Sequence, residues 1–126
     1  MTRDHRAALR RAHLLALIIA AACLVLASDA RAETCIASQY GVGDGYHGRR
    51  TASGERFNTH ATSPYTLAHR SRAFGSFVTV TNLANGRSIR AKVSDRGPFV
   101  RGRCVDLGRA GANAIGMGGT ARVRVE

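Results

Sequence analysis

In the second half of the chain, apolar and polar side chains alternate strictly in two stretches. Ile89, Ala91 and Val93 interleave with Arg90 and Lys92, and Ala121, Val123 and Val125 interleave with Arg122 and Arg124. A period of two sends one set to a buried face and the other to solvent, so both stretches predict half-buried strands. Residues 77–81 predict a further strand, joined to residues 88–94 by the hairpin loop Asn82-Leu83-Ala84-Asn85-Gly86. Residues 35–40 predict the first strand. The run Gly41, Gly43, Gly45 and Gly48 ends it, because glycine weakens strands and accepts positive φ. A helix is expected over residues 107–115, where Leu107, Ala110, Ala114 and Ile115 share a face, Asp106 stands at the cap, and Gly116 and Gly118 stop it. One short helix among many short strands predicts a small all-β barrel.

The pattern before residue 33 is of another kind. Arg3, Arg6, Arg10 and Arg11 precede a stretch rich in Leu, Ile and Ala at residues 12–27, and Ala30-Arg31-Ala32 follows. A basic segment, an apolar segment and small residues before a cut predict a signal peptide at residues 1–32, removed after Ala32. The 16 residues of the apolar stretch fall short of the ~20 that a spanning helix needs, so no stable membrane anchor is expected. Cys23 sits in a poor lipoprotein box, and Arg10-Arg11 is a poor twin-arginine signal. The domain is therefore residues 33–126, exported to the periplasm or cell envelope and expected to be a monomer.

Composition narrows the partners. A chain of 126 residues has room for one domain. Its formal charge is +11, and residues 33–126 keep 14 basic against 6 acidic side chains. An exported cation is drawn to anionic wall polymers and membranes. The basic residues are almost all Arg, are scattered, and come with no nucleic-acid motif, so nucleic acid is not the expected partner. Once Cys23 leaves with the leader, Cys35 and Cys104 form an even pair in an oxidising compartment, and a disulfide is expected. Two Cys and scattered His show no close ligand spacing, so neither a metal nor a cofactor is expected.

Five strings then stand in order: Gly48-Arg49-Arg50-Thr51-Ala52-Ser53-Gly54-Glu55-Arg56-Phe57, Ala68-His69, Val80-Thr81-Asn82-Leu83-Ala84-Asn85-Gly86, Asp95-Arg96-Gly97-Pro98-Phe99 and Val105-Asp106-Leu107. Together they resemble the rare lipoprotein A family, over residues 37–125. The resemblance implies a six-stranded double-psi β-barrel with one or two short helices, the fold shared with expansins, barwin-like proteins and family 45 glycosidases. It also implies a lytic transglycosylase acting on peptidoglycan glycan strands. Such an enzyme cuts the β-1,4 bond between N-acetylmuramic acid and N-acetylglucosamine and leaves a 1,6-anhydro-muramic product.

That chemistry needs a proton for the leaving oxygen and stabilisation of an oxocarbenium-like centre, and carboxyl groups supply both in most glycosidases. Away from the ends of the domain the candidates are Asp44, Glu55, Asp95 and Asp106. One acid suffices when the attacking group is the sugar's own 6-hydroxyl. Asp95 is the first choice, because it follows an alternating strand and precedes the constrained turn Arg96-Gly97-Pro98; a plain turn aspartate explains the same residues, and the family motif favours catalysis. An acid role calls for burial or a nearby carboxylate at Asp95, with Arg96 directed elsewhere, toward substrate. His69, through the Ala-His match, is expected to orient a carboxylate, bind a sugar hydroxyl or shuttle the proton. Glu55, in a glycine-rich loop, is the third catalytic candidate, and Asp44 has no motif around it.

Asp106 resembles the second acid of the expansin and glycosidase relatives, although a helix cap accounts for it equally well. Tyr40 and Phe57, near glycines, are candidates to stack on a sugar face or to pack in the core. Thr51 and Arg96 complete the substrate-binding set with Tyr40 and Asp106. The alternative function is a non-catalytic, expansin-like module that binds or loosens wall glycan, and an inhibitor or structural barrel is the third.

Overall fold

The computed structural model describes residues 32–126; the expected signal peptide and Cys23 lie outside the described residues. The described residues form six strands, β1 (Glu33–Tyr40), β2 (Tyr65–His69), β3 (Phe77–Asn82), β4 (Ser88–Asp95), β5 (Arg103–Gly108) and β6 (Thr120–Val125), and one helix, α1 (Arg109–Ala114). They close into a barrel in the order β1-β5-β2-β4-β3-β6. β1 with β5 and β2 with β4 run parallel, and the other four pairings are antiparallel.

The alternating stretches behave as the period of two requires. Ile89, Ala91 and Val93 of β4 and Val123 and Val125 of β6 are buried, and they meet Val78, Val80, Leu67, Val105 and Leu107 in one core. β2 and β5 carry no such alternation. Leu67, Ala68 and His69 are buried in succession, as are Cys104 and Val105.

Each parallel pair contains one step in register. Between β1 and β5, Ile36 pairs with Arg103 and Ala37 with Val105, so the ladder skips Cys104. Between β2 and β4, Leu67 pairs with Val93 and Ala68 with Asp95, so it skips Ser94. An extra residue of this kind bends its strand and re-aims the side chain that follows. After the step at Ser94, β4 delivers Asp95 opposite Ala68 at the barrel rim. Next to the other step, a disulfide joins Cys35 to Cys104, which have Cα atoms 5.8 Å apart and a sequence separation of 69.

The helix corrects an expectation. It is confined to Arg109–Ala114, and its N-cap is Gly108, with no side-chain cap hydrogen bond. Asp106 and Leu107 belong to β5 instead, because Asp106 pairs with Ser38 on one side and with Ala68 on the other. Closure of the barrel on two flanking strands outweighs the local helix signal. A distant residue caps the helix: Thr59 accepts the Arg109 N–H on Oγ1 at 2.8 Å and the Ala110 N–H on its carbonyl at 2.9 Å. The C-terminal stop is as expected, with Gly116 at φ +65 and the Met117 N–H returning to the Ala112 carbonyl at 3.0 Å.

At the end of β1, Gly41 has φ +95, and a Cβ there would stand 2.4 Å from the Phe57 ring and 2.8 Å from Thr59. Glycine is required at that position by backbone conformation and by space. No helix among the described residues is long and apolar enough to cross a membrane.

Candidate active site

Asp95 leaves the end of β4 with its carboxylate held from three directions. Oδ1 accepts the Ala52 N–H at 2.9 Å and the Arg96 N–H at 2.9 Å, and the Tyr40 phenol lies 3.4 Å from Oδ2. The Ala52 amide comes from a tight loop closed by hydrogen bonds from Thr51 N to the Glu55 carbonyl (2.7 Å) and from Gly54 N to the Thr51 carbonyl (2.9 Å). The same loop meets the skipped residue of β4, since Ser53 N donates to the Ser94 carbonyl at 3.3 Å.

Asp106, on β5, lines the same groove, whose volume is about 290 Å³. Its Oδ1 accepts a hydrogen bond from Ser38 Oγ on the paired strand. β1 therefore sends two hydroxyls, from Ser38 and Tyr40, to two different carboxylates. The Tyr40 phenol is pushed well above its usual value, first by burial and then by the negative charges of Asp95 and Asp106. It stays a neutral hydrogen-bond donor.

The Tyr40 ring is stacked on Phe57, with centroids 4.2 Å apart and planes 11° apart, and meets Tyr46 edge-on at 5.9 Å. Phe57 is itself buried at 4% exposure, so it belongs to the core and offers no sugar platform. The aromatic rings open to the groove are Tyr46 (51% exposed) and Phe99 (80%), neither of which was singled out from sequence. Their signal was an aromatic beside glycine or proline in a loop, which is too common to stand out. Asp44 shapes this wall. Its carboxylate accepts the Gly41 N–H (2.7 Å) and the Tyr46 N–H (3.1 Å), and these backbone hydrogen bonds, that of Gly41 foremost, hold it below its ordinary value.

Arg96 turns its guanidinium away from Asp95. Its Nη1 donates to the carbonyls of Arg72 (2.9 Å) and His69 (3.3 Å), and its Cζ sits 3.8 Å from the Phe74 ring centroid. His69, only 3% exposed, accepts the Ser71 and Arg72 N–H groups on Nδ1, both at 3.1 Å. With Nδ1 an acceptor, the ring proton is on Nε2, directed at Glu33 Oε1 at 3.0 Å. The imidazole is thus committed to a turn and to β1, and it reaches the Asp95 turn only through its backbone carbonyl.

Glu55 points elsewhere, its Oε1 2.8 Å from Lys92 Nζ. Thr51, largely buried, spends its hydroxyl on Ser53 Oγ at 2.8 Å. The structure therefore gathers Tyr40, Asp95 and Asp106 around one groove and leaves the side chains of Glu55, Thr51 and His69 outside it.

A family model described as lytic transglycolase matches residues 32–126. The chain belongs to this double-psi β-barrel family. Among curated relatives, the chain is 55% identical over 93 residues to a probable endolytic peptidoglycan transglycosylase RlpA of Nostoc, covering 72% of this chain and 24% of that protein. It is 42% identical over 101 residues to the endolytic peptidoglycan transglycosylase RlpA of Pseudomonas aeruginosa, covering 79% of the chain and 29% of the relative. The chain thus spans about a quarter to a third of these relatives. In fold it resembles an expansin of Clavibacter michiganensis, with TM-score 0.57 and 20% identity over 75% of this chain and 49% of that one. A Streptomyces papain inhibitor has the same architecture, with TM-score 0.55 and 18% identity over 76% of this chain and 93% of the inhibitor.

Proposed function

We propose that this domain is an endolytic lytic transglycosylase of the cell envelope. It cleaves the β-1,4 bond between N-acetylmuramic acid and N-acetylglucosamine in peptidoglycan strands and leaves a 1,6-anhydro-muramic end. The observation that carries this reading is the asymmetry of Asp95. Two backbone amides occupy Oδ1, so Oδ2, beside the groove, is the oxygen free to carry the transferred proton.

In the reaction, Oδ2 gives its proton to the glycosidic oxygen as the bond from that oxygen to the muramic C1 breaks. The C6 hydroxyl of the same muramic residue closes on C1, and its proton returns to Oδ2. No water is consumed, and one carboxyl serves both halves. Asp106, in the same groove, supplies negative charge toward the oxocarbenium-like centre. Tyr46 and Phe99 offer apolar faces for neighbouring sugars. His69 and Arg96 support the Asp95 turn, and Glu55 with Lys92 braces the loop that presents Ala52.

The exposed aromatic walls also favour a second reading, a module that binds glycan without turnover. Incubating purified protein with peptidoglycan sacculi, followed by mass spectrometry of the soluble fraction, separates the two. Release of 1,6-anhydro muropeptides is the expected result. Tight binding to sacculi with no anhydro product selects the second reading.

A further inference from the structure

We infer that Tyr40 is a positioning residue, whose phenol fixes the direction in which Asp95 Oδ2 presents its proton, and that it is not a surface for stacking sugar. The inference deepens the transglycosylase reading and rests on it for its kinetic part. Three observations lead to it. One face of the Tyr40 ring is covered by Phe57 in near-parallel contact, and Tyr46 meets it edge-on, so the groove receives the hydroxyl end. The hydroxyl lies 3.4 Å from Oδ2, the oxygen that the backbone amides leave open. Ser38, two residues earlier on β1, makes the corresponding contact to Asp106.

The chemistry follows from counting lone pairs. A carboxyl oxygen has two, and a phenol hydrogen on one of them leaves the other to hold the transferred proton, aimed into the groove. When the proton has gone to the leaving oxygen, the phenol donates into the carboxylate that remains and stabilises it. A separation of 3.4 Å is long for an O–H···O bond, and such contacts tighten when substrate is bound. Burial and the neighbouring carboxylates keep the phenol protonated, so the donor is present throughout the cycle.

The charged and titratable groups around Oδ2 are few. Tyr40 approaches from β1, Asp106 and Arg103 from β5 and Tyr46 from the glycine loop, while the Arg96 guanidinium is held against the His69 and Arg72 carbonyls. Removal of the Tyr40 hydroxyl therefore takes away the one side-chain donor on Oδ2 among the described residues.

Tyr40→Phe keeps the stack on Phe57 and deletes only the hydroxyl. On sacculi its kcat is expected to fall about 10-fold or more with KM near the wild-type value, since a hydrogen bond to a charged group is lost. Wild-type kcat in Tyr40→Phe, or a loss carried by KM with kcat unchanged, overturns the inference.

A second measurement needs no turnover. In a double-mutant cycle on the unfolding free energy at neutral pH, Tyr40→Phe and Asp95→Asn are expected to be non-additive, because each removes the same contact. Additive losses overturn the contact between the two residues. If wild type releases no anhydro product at all, the transglycosylase reading fails, and the cycle still decides the Tyr40–Asp95 pairing.

Discussion

The backbone amide of Ala52 donates to Asp95 Oδ1 at 2.9 Å across 43 positions of sequence. With the amide of Arg96 on the same oxygen, it fixes the carboxylate plane without a side-chain cation. Rigid support of this kind is what a reacting group needs, because small errors in its placement reduce the rate sharply.

Asp95→Asn tests the assignment directly. The amide oxygen of asparagine accepts the same two N–H groups, so the fold and melting temperature should hold, but the side chain can neither give nor take the transferred proton. Anhydro-muropeptide release is expected to drop by about 10⁴-fold, the upper end for general acid–base catalysis, while binding to sacculi survives. Full turnover by the folded variant would move the assignment to Asp106 or Glu55.

Much of the barrel was legible where one face meets water. Arg90, Lys92, Arg122 and Arg124 mark the outer positions of β4 and β6, and the inner positions follow from them. β2 and β5 could not be read from pattern, since consecutive buried positions leave no period of two. Asp106 shows the cost, because local chemistry favours a helix cap and only pairing with Ser38 and Ala68 reveals a strand. The step at Ser94 that aims Asp95 is likewise a property of two strands together. In the site, short motifs led to Asp95, but the partners that hold it, Ala52 N–H and the Tyr40 hydroxyl, come from distant segments that only the closed barrel brings together.

The groove walls give a separate prediction. Tyr46→Ala and Phe99→Ala should each weaken binding of glycan strands several-fold and raise KM more than they lower kcat, since both rings are exposed on the groove wall and neither gives or takes the transferred proton in the proposed reaction. Measurement of sedimentation with sacculi beside initial rates checks the split. Equal losses in kcat would instead put these rings in the transition state.

The disulfide between Cys35 and Cys104 closes a loop of 69 positions, which in the chain-entropy model is worth about 4 kcal/mol. The double variant Cys35→Ser with Cys104→Ser should melt roughly 15 °C or more below the oxidised wild type. Because the bond joins β1 to β5 away from the Asp95 contacts, activity measured well below the melting point should persist. An unchanged melting temperature would show that the unfolded chain gains little freedom when the bond is absent.

Alkali should find Tyr40. Its folded-state phenol titrates above the unfolded value, so the native chain keeps a proton that the unfolded chain releases near pH 10. The contribution to stability is complete below about pH 10 and is lost as pH rises further, because the unfolded state then binds fewer protons than the native one. Wild type should lose melting temperature more steeply above about pH 10 than Tyr40→Phe does. Parallel curves would mean that the phenol is no better protected in the fold than in the unfolded chain.

His69 poses the sharpest choice between chemistry and support. Its Nδ1 gathers the Ser71 and Arg72 amides, and the carbonyls of His69 and Arg72 then seat the Arg96 guanidinium beside the Asp95 turn. His69→Ala leaves two backbone donors in need of a partner, at about 1–3 kcal/mol for a buried group, and should lower both stability and activity. His69→Asn is the informative variant. The asparagine oxygen can take the position of Nδ1 and receive the same amides, yet it has no ring nitrogen to carry a proton. If His69 acts by holding the turn, His69→Asn should recover most of the activity lost in His69→Ala, with a pH–rate profile like that of wild type. If His69→Asn folds as stably as wild type and still releases no anhydro product, the imidazole itself takes part in the proton transfer, and the ring must leave Glu33 during the reaction.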